Sequence, residues 1–193
     1  MSGKPITSIV LIGVGGQGIL LASEIIAQTA LIAGYQVKTN EVHGMAQRGG
    51  SVMGQIRYGE EVFSPLVAEG TARVLIAFEA IEALRVAHYL APEGYAVVSS
   101  QTIVPVTVSS GAAQYPENVE ARLHQVFPRL CYLDAVAMAC TVGNVKTANV
   151  VLLGAVSAQL DLPLEAWHQA IAACVPEKYF DLNLQAFSMG REG

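Results

Sequence analysis

The chain has 193 residues, of which 52% are hydrophobic and only 14% charged, with a formal net charge of −5. That length fits one domain, 1–193, able to bury most of its apolar surface, and the acidic balance with eleven scattered basic residues excludes a phosphate-tracking face for nucleic acid. Charge this far below the roughly 25% of an average soluble domain points to surface covered by a partner subunit.

Ser8 to Val14 is a continuous apolar run ending in glycines, as expected of a parallel strand buried on both faces. It follows one lysine and a short lead, which reads as a strand and not as a secretory signal. Gly13, Gly15 and Gly18 then match the spacing G-x-G-x-x-G. The first glycine permits a tight turn, the second a close approach to the backbone, and the third close packing of helix on strand. Ile19, Leu20, Ser23, Ile26, Ala27 and Ala30 recur at helical spacing, and Gly34 takes the C′ position that favours glycine. Tyr35 to Thr39 supplies a second strand.

Residues 41–50 form a polar connection without periodicity. Ser51 to Tyr58 alternates, and Gly59-Glu60-Glu61 supplies a turn, so 51–65 reads as a β-hairpin inserted into a parallel plan. Arg73 to Phe78 restores the buried-strand pattern. Ile81, Leu84 and His88 mark a helix that stops before Pro92-Glu93-Gly94, and Tyr95 to Ser99 is a strand followed by a Ser- and Thr-rich crossing segment. A helix near Val119 to Phe127 leads to a strand at Leu130 to Leu133, and Asp134 caps the helix after it. The rest is helical, with Gly143-Asn144 separating two helices and Pro163 in a first turn. The stretch from Ala135 to Leu160 is interrupted by Thr141, Gly143, Asn144, Lys146, Thr147 and Asn149 and falls short of the roughly 20 continuous apolar residues of a membrane span. The whole predicts a three-layer, Rossmann-like α/β domain with a mostly parallel sheet, an inserted β-hairpin and a helical C-terminal tail.

Two constellations carry the expected chemistry. The turn Gly13, Gly15, Gly16, Gln17 and Gly18 opens a helix whose N–H groups and dipole favour an anion, with Gln17 as a neutral donor. Glu41 stands about where a ribose-binding acid stands in a nicotinamide fold. Beside it, the loop holds His43, able to carry a proton near neutral pH, together with Gln47 and Ser51. Arg48, between flexible residues, suits a phosphate or carboxylate. No residue is assigned to a chemical step. Asn144, Lys146 and Asn149 read as residues that cap and orient a helix junction. His88, His124 and His168 lie on separate elements and show no metal spacing. Cys131, Cys140 and Cys174 lack Cys-x-x-Cys spacing and fit buried, free thiols in a reducing cytosol, giving no metal site and a cytoplasmic location.

The glycine turn, the loop Glu41-Val42-His43-Gly44-Met45-Ala46-Gln47-Arg48-Gly49-Gly50-Ser51 and the tail Asn183-Leu184-Gln185-Ala186-Phe187 resemble the gamma-type subunit of 2-oxoacid:ferredoxin oxidoreductases. Within that family they are most similar to the small (beta) subunit of indolepyruvate:ferredoxin oxidoreductase. The resemblance covers nearly the whole chain. It implies oxidative decarboxylation of a 2-oxo acid, with an aryl pyruvate favoured, to an acyl-coenzyme A. By the same resemblance, thiamine diphosphate and Fe–S clusters belong to a large partner subunit, which passes electrons to ferredoxin. This chain has no Gly-Asp-Gly thiamine signature and no cysteine cluster. It is then expected to be inactive alone, with coenzyme A as its one candidate cofactor and a homodimer as its candidate state in isolation. Two other readings stay open: a stand-alone NAD-dependent Rossmann oxidoreductase anchored by Glu41, and a non-catalytic assembly subunit whose glycines only pack.

Overall fold

A computed structural model describes residues 5–43, 50–104, 108, 114 and 116–193. Its centre is a six-stranded sheet in the order β2-β3-β1-β4-β5-β6. Here β1 is Thr7–Val14, β2 Gln36–His43, β3 Ser51–Gly59, β4 Ala72–Ala77, β5 Leu90–Ser99 and β6 Leu130–Leu133. The helices are α1 (Ile19–Ile32), α2 (Ala80–Arg85), α3 (Val119–Val126), α4 (Ala135–Val142), α5 (Ala148–Ser157), α6 (Leu164–Cys174) and α7 (Phe180–Glu192).

Strand β1 pairs parallel with β4, β4 with β5, and β5 with β6. All side chains of β1 from Thr7 to Gly13 are buried, as the unbroken apolar run demands. One face of the sheet gives Ile9, Leu11, Ile56, Val74 and Ile76 to a core closed by α1 and α4 to α7. The other gives Ile12, Leu75, Ala77 and Val98 to a smaller core under α2 and α3, with Leu123 and Phe127 fully inside. The three-layer α/β plan follows from these two cores.

The hairpin is present, but its arms differ from those expected. β2 and β3 pair antiparallel from Gln36↔Gly59 to His43↔Val52, so the turn falls at 44–49, outside the described residues. Strand β3 also pairs antiparallel with β1, from Thr7↔Tyr58 to Val14↔Ser51. The residues after Gly59 are not a second arm; Val62–Val67 form a strap without regular secondary structure, tied to Gln36 of β2 and Gln55 of β3. Alternation in 51–58 marks a strand, but it cannot say which partner the strand takes.

Smaller departures have local reasons. Leu20 is exposed on α1, whose buried face runs instead through Ile19, Ala22, Ser23, Ile25, Ile26, Thr29 and Ala30. Pro92-Glu93-Gly94 lies inside β5, where the register against β4 shifts between Ala72 and Val74, so the turn residues form an irregularity and not an end. Pro163 is the residue before α6 and not its first. Gly34 sits at φ +85° just after the α1 C-cap, and Asp134 accepts the Ala137 N–H at 2.9 Å, both as expected.

Helices α5 and α7 cross at a pair of glycines. A Cβ on Gly154 would collide with backbone of Phe187 and Arg191, and one on Gly190 with backbone of Val151. Behind that crossing, Trp167 and Phe187 are fully buried with ring centroids 5.5 Å apart. Asn183, also in the tail motif, donates to the Tyr179 carbonyl at 2.8 Å.

Candidate functional site

The carboxyl ends of β1, β4 and β5 meet at one edge of the sheet, where the crossing from β1 goes to one face and that from β4 to the other. Open α/β sheets place ligands at such a reversal. Here the side chain of Gln17 fills it. Its Oε1 accepts the Val14 N–H at 2.7 Å, and its Nε2 donates to the Phe78 carbonyl at 2.7 Å and to Gln101 Oε1 at 2.8 Å. Gln17 thus ties three strand ends together beneath the turn.

The glycines take the shapes their spacing requires. Gly13 has no room for a side chain, since a Cβ there would lie 2.7 Å from Gln17 Oε1 and 2.8 Å from Phe78 Cβ. Gly18, at φ +79°, faces Asn149 Nδ2, which donates to the Gly18 carbonyl at 3.2 Å. Gly16, at φ +106°, is exposed, with open space where a Cβ would point. Helix α1 begins without a side-chain cap and without an acidic residue in its first turn, which leaves the positive end of its dipole unopposed.

Two cavities of about 380 Å³ flank this turn. One is lined by Gly15, Gly16, Gly18, Ile19, Leu20, Leu21 and Val52. The other lies between the turn and the α4–α5 junction, where Val145 and Lys146 join Gly16, Leu21 and Asn149 in its wall. Asn144 caps that junction, its Oδ1 accepting the Lys146 N–H at 3.0 Å. The expected capping role is thus met by Asn144, whereas Asn149 reaches across to the Gly18 carbonyl and Lys146 lends a cation to a cavity wall.

The structure brings the base of the second constellation to the first. The Gly15 N–H donates to the Gly50 carbonyl at 2.8 Å. Ser51 Oγ donates to Glu82 Oε2 at 2.6 Å, and Glu82 holds Arg85 at 2.7 Å. Gln47, Arg48 and the His43 side chain lie outside the described residues. Glu41 is exposed on β2, level with Gly54 of β3 and, across it, Leu11 of β1. With β3 interposed, Glu41 is two strand spacings, roughly 10 Å, from β1. In a nicotinamide fold β2 adjoins β1, so Glu41 does not stand where a ribose-binding acid would.

Three residues of this edge carried no motif. Glu79 is buried and caps α2 through the Glu82 N–H at 2.9 Å, while also accepting the Ile103 N–H at 3.3 Å. Glu82 is buried at the foot of the loop, and Gln101 completes the Gln17 network. Spacing does not reveal them, because each acts through a contact distant in sequence.

The cysteines are free and spread over β6, α4 and α6. Cys140 is exposed rather than buried, because its turn of α4 faces outward. Burial pushes the Cys174 thiol up to about 11 and raises that of Cys131. Among the described residues no three His, Cys, Asp or Glu converge as metal ligands, and no helix is long and apolar enough to cross a membrane.

Comparison with known proteins agrees with this architecture. Residues 8–193 match the pyruvate ferredoxin/flavodoxin oxidoreductase family. The indolepyruvate oxidoreductase subunit IorB of Pyrococcus horikoshii is 43% identical over 188 residues, which is 95% of this chain and 93% of that protein. The gamma subunit of a keto/oxoacid ferredoxin oxidoreductase from Geobacter sulfurreducens superposes with a TM-score of 0.71 at 25% identity, covering 96% of each chain. A 2-oxoglutarate:ferredoxin oxidoreductase from Magnetococcus marinus, solved with 2-oxoglutarate, coenzyme A and succinyl-CoA bound, has a TM-score of 0.72 at 21% identity. This chain covers 31% of it, matched over 98% of its own length, a likeness of fold alone. With the family matched from β1 to the C-terminus and a full-length relative at this identity, the chain belongs to the pyruvate ferredoxin/flavodoxin oxidoreductase family, on the branch of the indolepyruvate oxidoreductase small subunits.

Proposed function

We propose that this chain is the small subunit of an indolepyruvate-type 2-oxoacid:ferredoxin oxidoreductase and that its glycine turn receives the anionic part of coenzyme A. The observation that carries the reading is the uncapped, acid-free start of α1 at an exposed glycine, between two open cavities with Lys146 in one wall. A diphosphate gains there from backbone N–H groups, the helix dipole and a cation. Arg48, two residues before Gly50 in the sequence, would add a second cation. On a larger partner, thiamine diphosphate and iron–sulfur clusters would supply decarboxylation and electron transfer. The described residues hold no ligand set for such a cluster.

Calorimetric titration of the assembled complex with coenzyme A tests this. Arg48→Ala and Lys146→Ala should each weaken binding by about tenfold or more, as loss of a charge-assisted hydrogen bond does. Unchanged affinity in both would remove the turn as the coenzyme site. The tight contacts of Gly13 and Gly18 favour a second reading, in which the glycines serve packing alone. Under that reading Gly13→Ala and Gly18→Ala lower the yield of complex but leave activity per complex, and coenzyme A affinity, unchanged.

A further inference from the structure

Away from the glycine turn, the strap between β3 and β4 offers apolar side chains to solvent more fully than the other described residues do. Phe63 is 83% exposed and Leu66 61%, the two most exposed large hydrophobic residues among those described. Their backbone is nonetheless held on both sides. Arg57 Nη1 donates to the Ser64 carbonyl at 3.0 Å and the Leu66 carbonyl at 3.4 Å. Gln36 Oε1 accepts the Val62 N–H at 3.1 Å, and the buried Gln55 accepts the Val67 N–H at 3.2 Å. Val62 and Val67 are buried and turn inward, so Phe63 and Leu66 are fixed outward. With the backbone already held, binding has only side-chain rotamers left to order, which lowers the cost for an interface anchor.

The surrounding charge narrows what can cover this patch. Glu60, Glu61 and Glu69 are exposed along the same strap. Of the basic side chains near it, Arg57 is engaged with the strap carbonyls, Arg73 pairs with Asp161, Lys38 lies opposite Arg57 in the sheet, and His88 Nε2 is 3.9 Å from Glu69. A second copy presenting the same patch across a two-fold axis would set these carboxylates against their equivalents, a like-charge contact that disfavours pairing. None of the cavities described offers an apolar socket with several basic residues for a heterologous contact.

We infer that the Glu60–Glu69 strap is the anchor by which this chain docks on its larger partner subunit, Phe63 and Leu66 entering an apolar socket whose rim carries Lys and Arg. The inference rests on the small-subunit reading above. It gives the partner-covered surface a particular place, at the end of the sheet opposite the glycine turn.

The test uses the full chain and the purified large thiamine-diphosphate subunit of the same complex, with the dissociation constant measured at several salt concentrations. Phe63→Ala should weaken assembly about thirtyfold, as loss of an interface anchor does, and Leu66→Ala should weaken it less. Both residues are exposed, so thermal unfolding of the free chain should not move. Val126→Ala, exposed on α3, is the control that leaves affinity unchanged. Replacing Glu60, Glu61 and Glu69 together by Gln should flatten the salt dependence. Affinities within about threefold of the parent for both Phe63→Ala and Leu66→Ala, judged against ordinary hot-spot losses, would overturn the proposal. So would self-association of the free chain that Phe63→Ala abolishes while partner affinity stays unchanged. If the unsubstituted chain does not bind the large subunit at all, the small-subunit reading itself fails first.

Discussion

Gln17 lies where three strand ends would otherwise part. Its amide spends one acceptor and both donors on Val14, Phe78 and Gln101, and the bonds to Phe78 and Gln101 reach 61 and 84 residues along the chain. Spacing marks Gln17 as a neutral donor beside an anion-ready turn; the fold makes it a strut under that turn. Replacing it by Glu separates the two roles. The carboxylate can still accept from Val14, and Gln101 can answer by turning its amide, but the Phe78 carbonyl would face an acceptor with no proton between. Gln17→Glu should therefore destabilise the free chain by about 2–3 kcal/mol, the usual range for a desolvated, mismatched polar contact. Urea unfolding of the isolated chain reads this directly. A loss below about 0.5 kcal/mol, the scatter of ordinary surface substitutions, would mean the amide is not a strut.

Among the elements, those governed by neighbours in sequence were legible. The buried run of β1, the C′ glycine at 34, the Asp134 cap and β6 all follow from local patterns. Partner choice was not. The hairpin expected in 51–65 has β2 and β3 as its arms, because antiparallel pairing there satisfies β3 on both edges, against β1 and β2 together. The same limit hid Glu79, Glu82 and Gln101, whose contacts are made only once distant strands align. The α5–α7 crossing belongs to this class as well. Gly154 and Gly190 carry ordinary helical patterns, yet each approaches the backbone of the other helix with no space for a methyl group. Backbone cannot give way as the end of a flexible side chain can, so Gly154→Ala or Gly190→Ala should cost at least the 1–3 kcal/mol typical of overpacking. The loss should appear as a lower Tm of the free chain. An unchanged or raised Tm would show that the two helices can slide apart without consequence. The same crossing buries Phe187 of the tail motif, which gives that residue a packing role.

For the whole molecule, the two proposed surfaces sit at opposite ends of the sheet. The turn follows Val14 at the carboxyl end of β1, whereas the strap follows Gly59, level with the start of β1 near Thr7. Along β1 this is roughly 20 Å at about 3.3 Å per strand residue. No described hydrogen bond joins a strap residue to the glycine turn, since Gln36, Gln55 and Arg57 face the strap while Gln17, Asn149 and Gly50 face the turn. Substitutions this far apart with no shared partner add within about 0.5 kcal/mol. A complex carrying Phe63→Ala, formed at saturating partner, should then bind coenzyme A with the parent affinity, and one carrying Arg48→Ala should assemble with the parent affinity. The double variant should lose each property by its single amount and no more. Titration of coenzyme A into the four complexes, alongside their assembly constants, gives both quantities at once. Coupling much above that margin would require a rigid path through β1 and β3, making docking of the large subunit part of how the coenzyme site is formed.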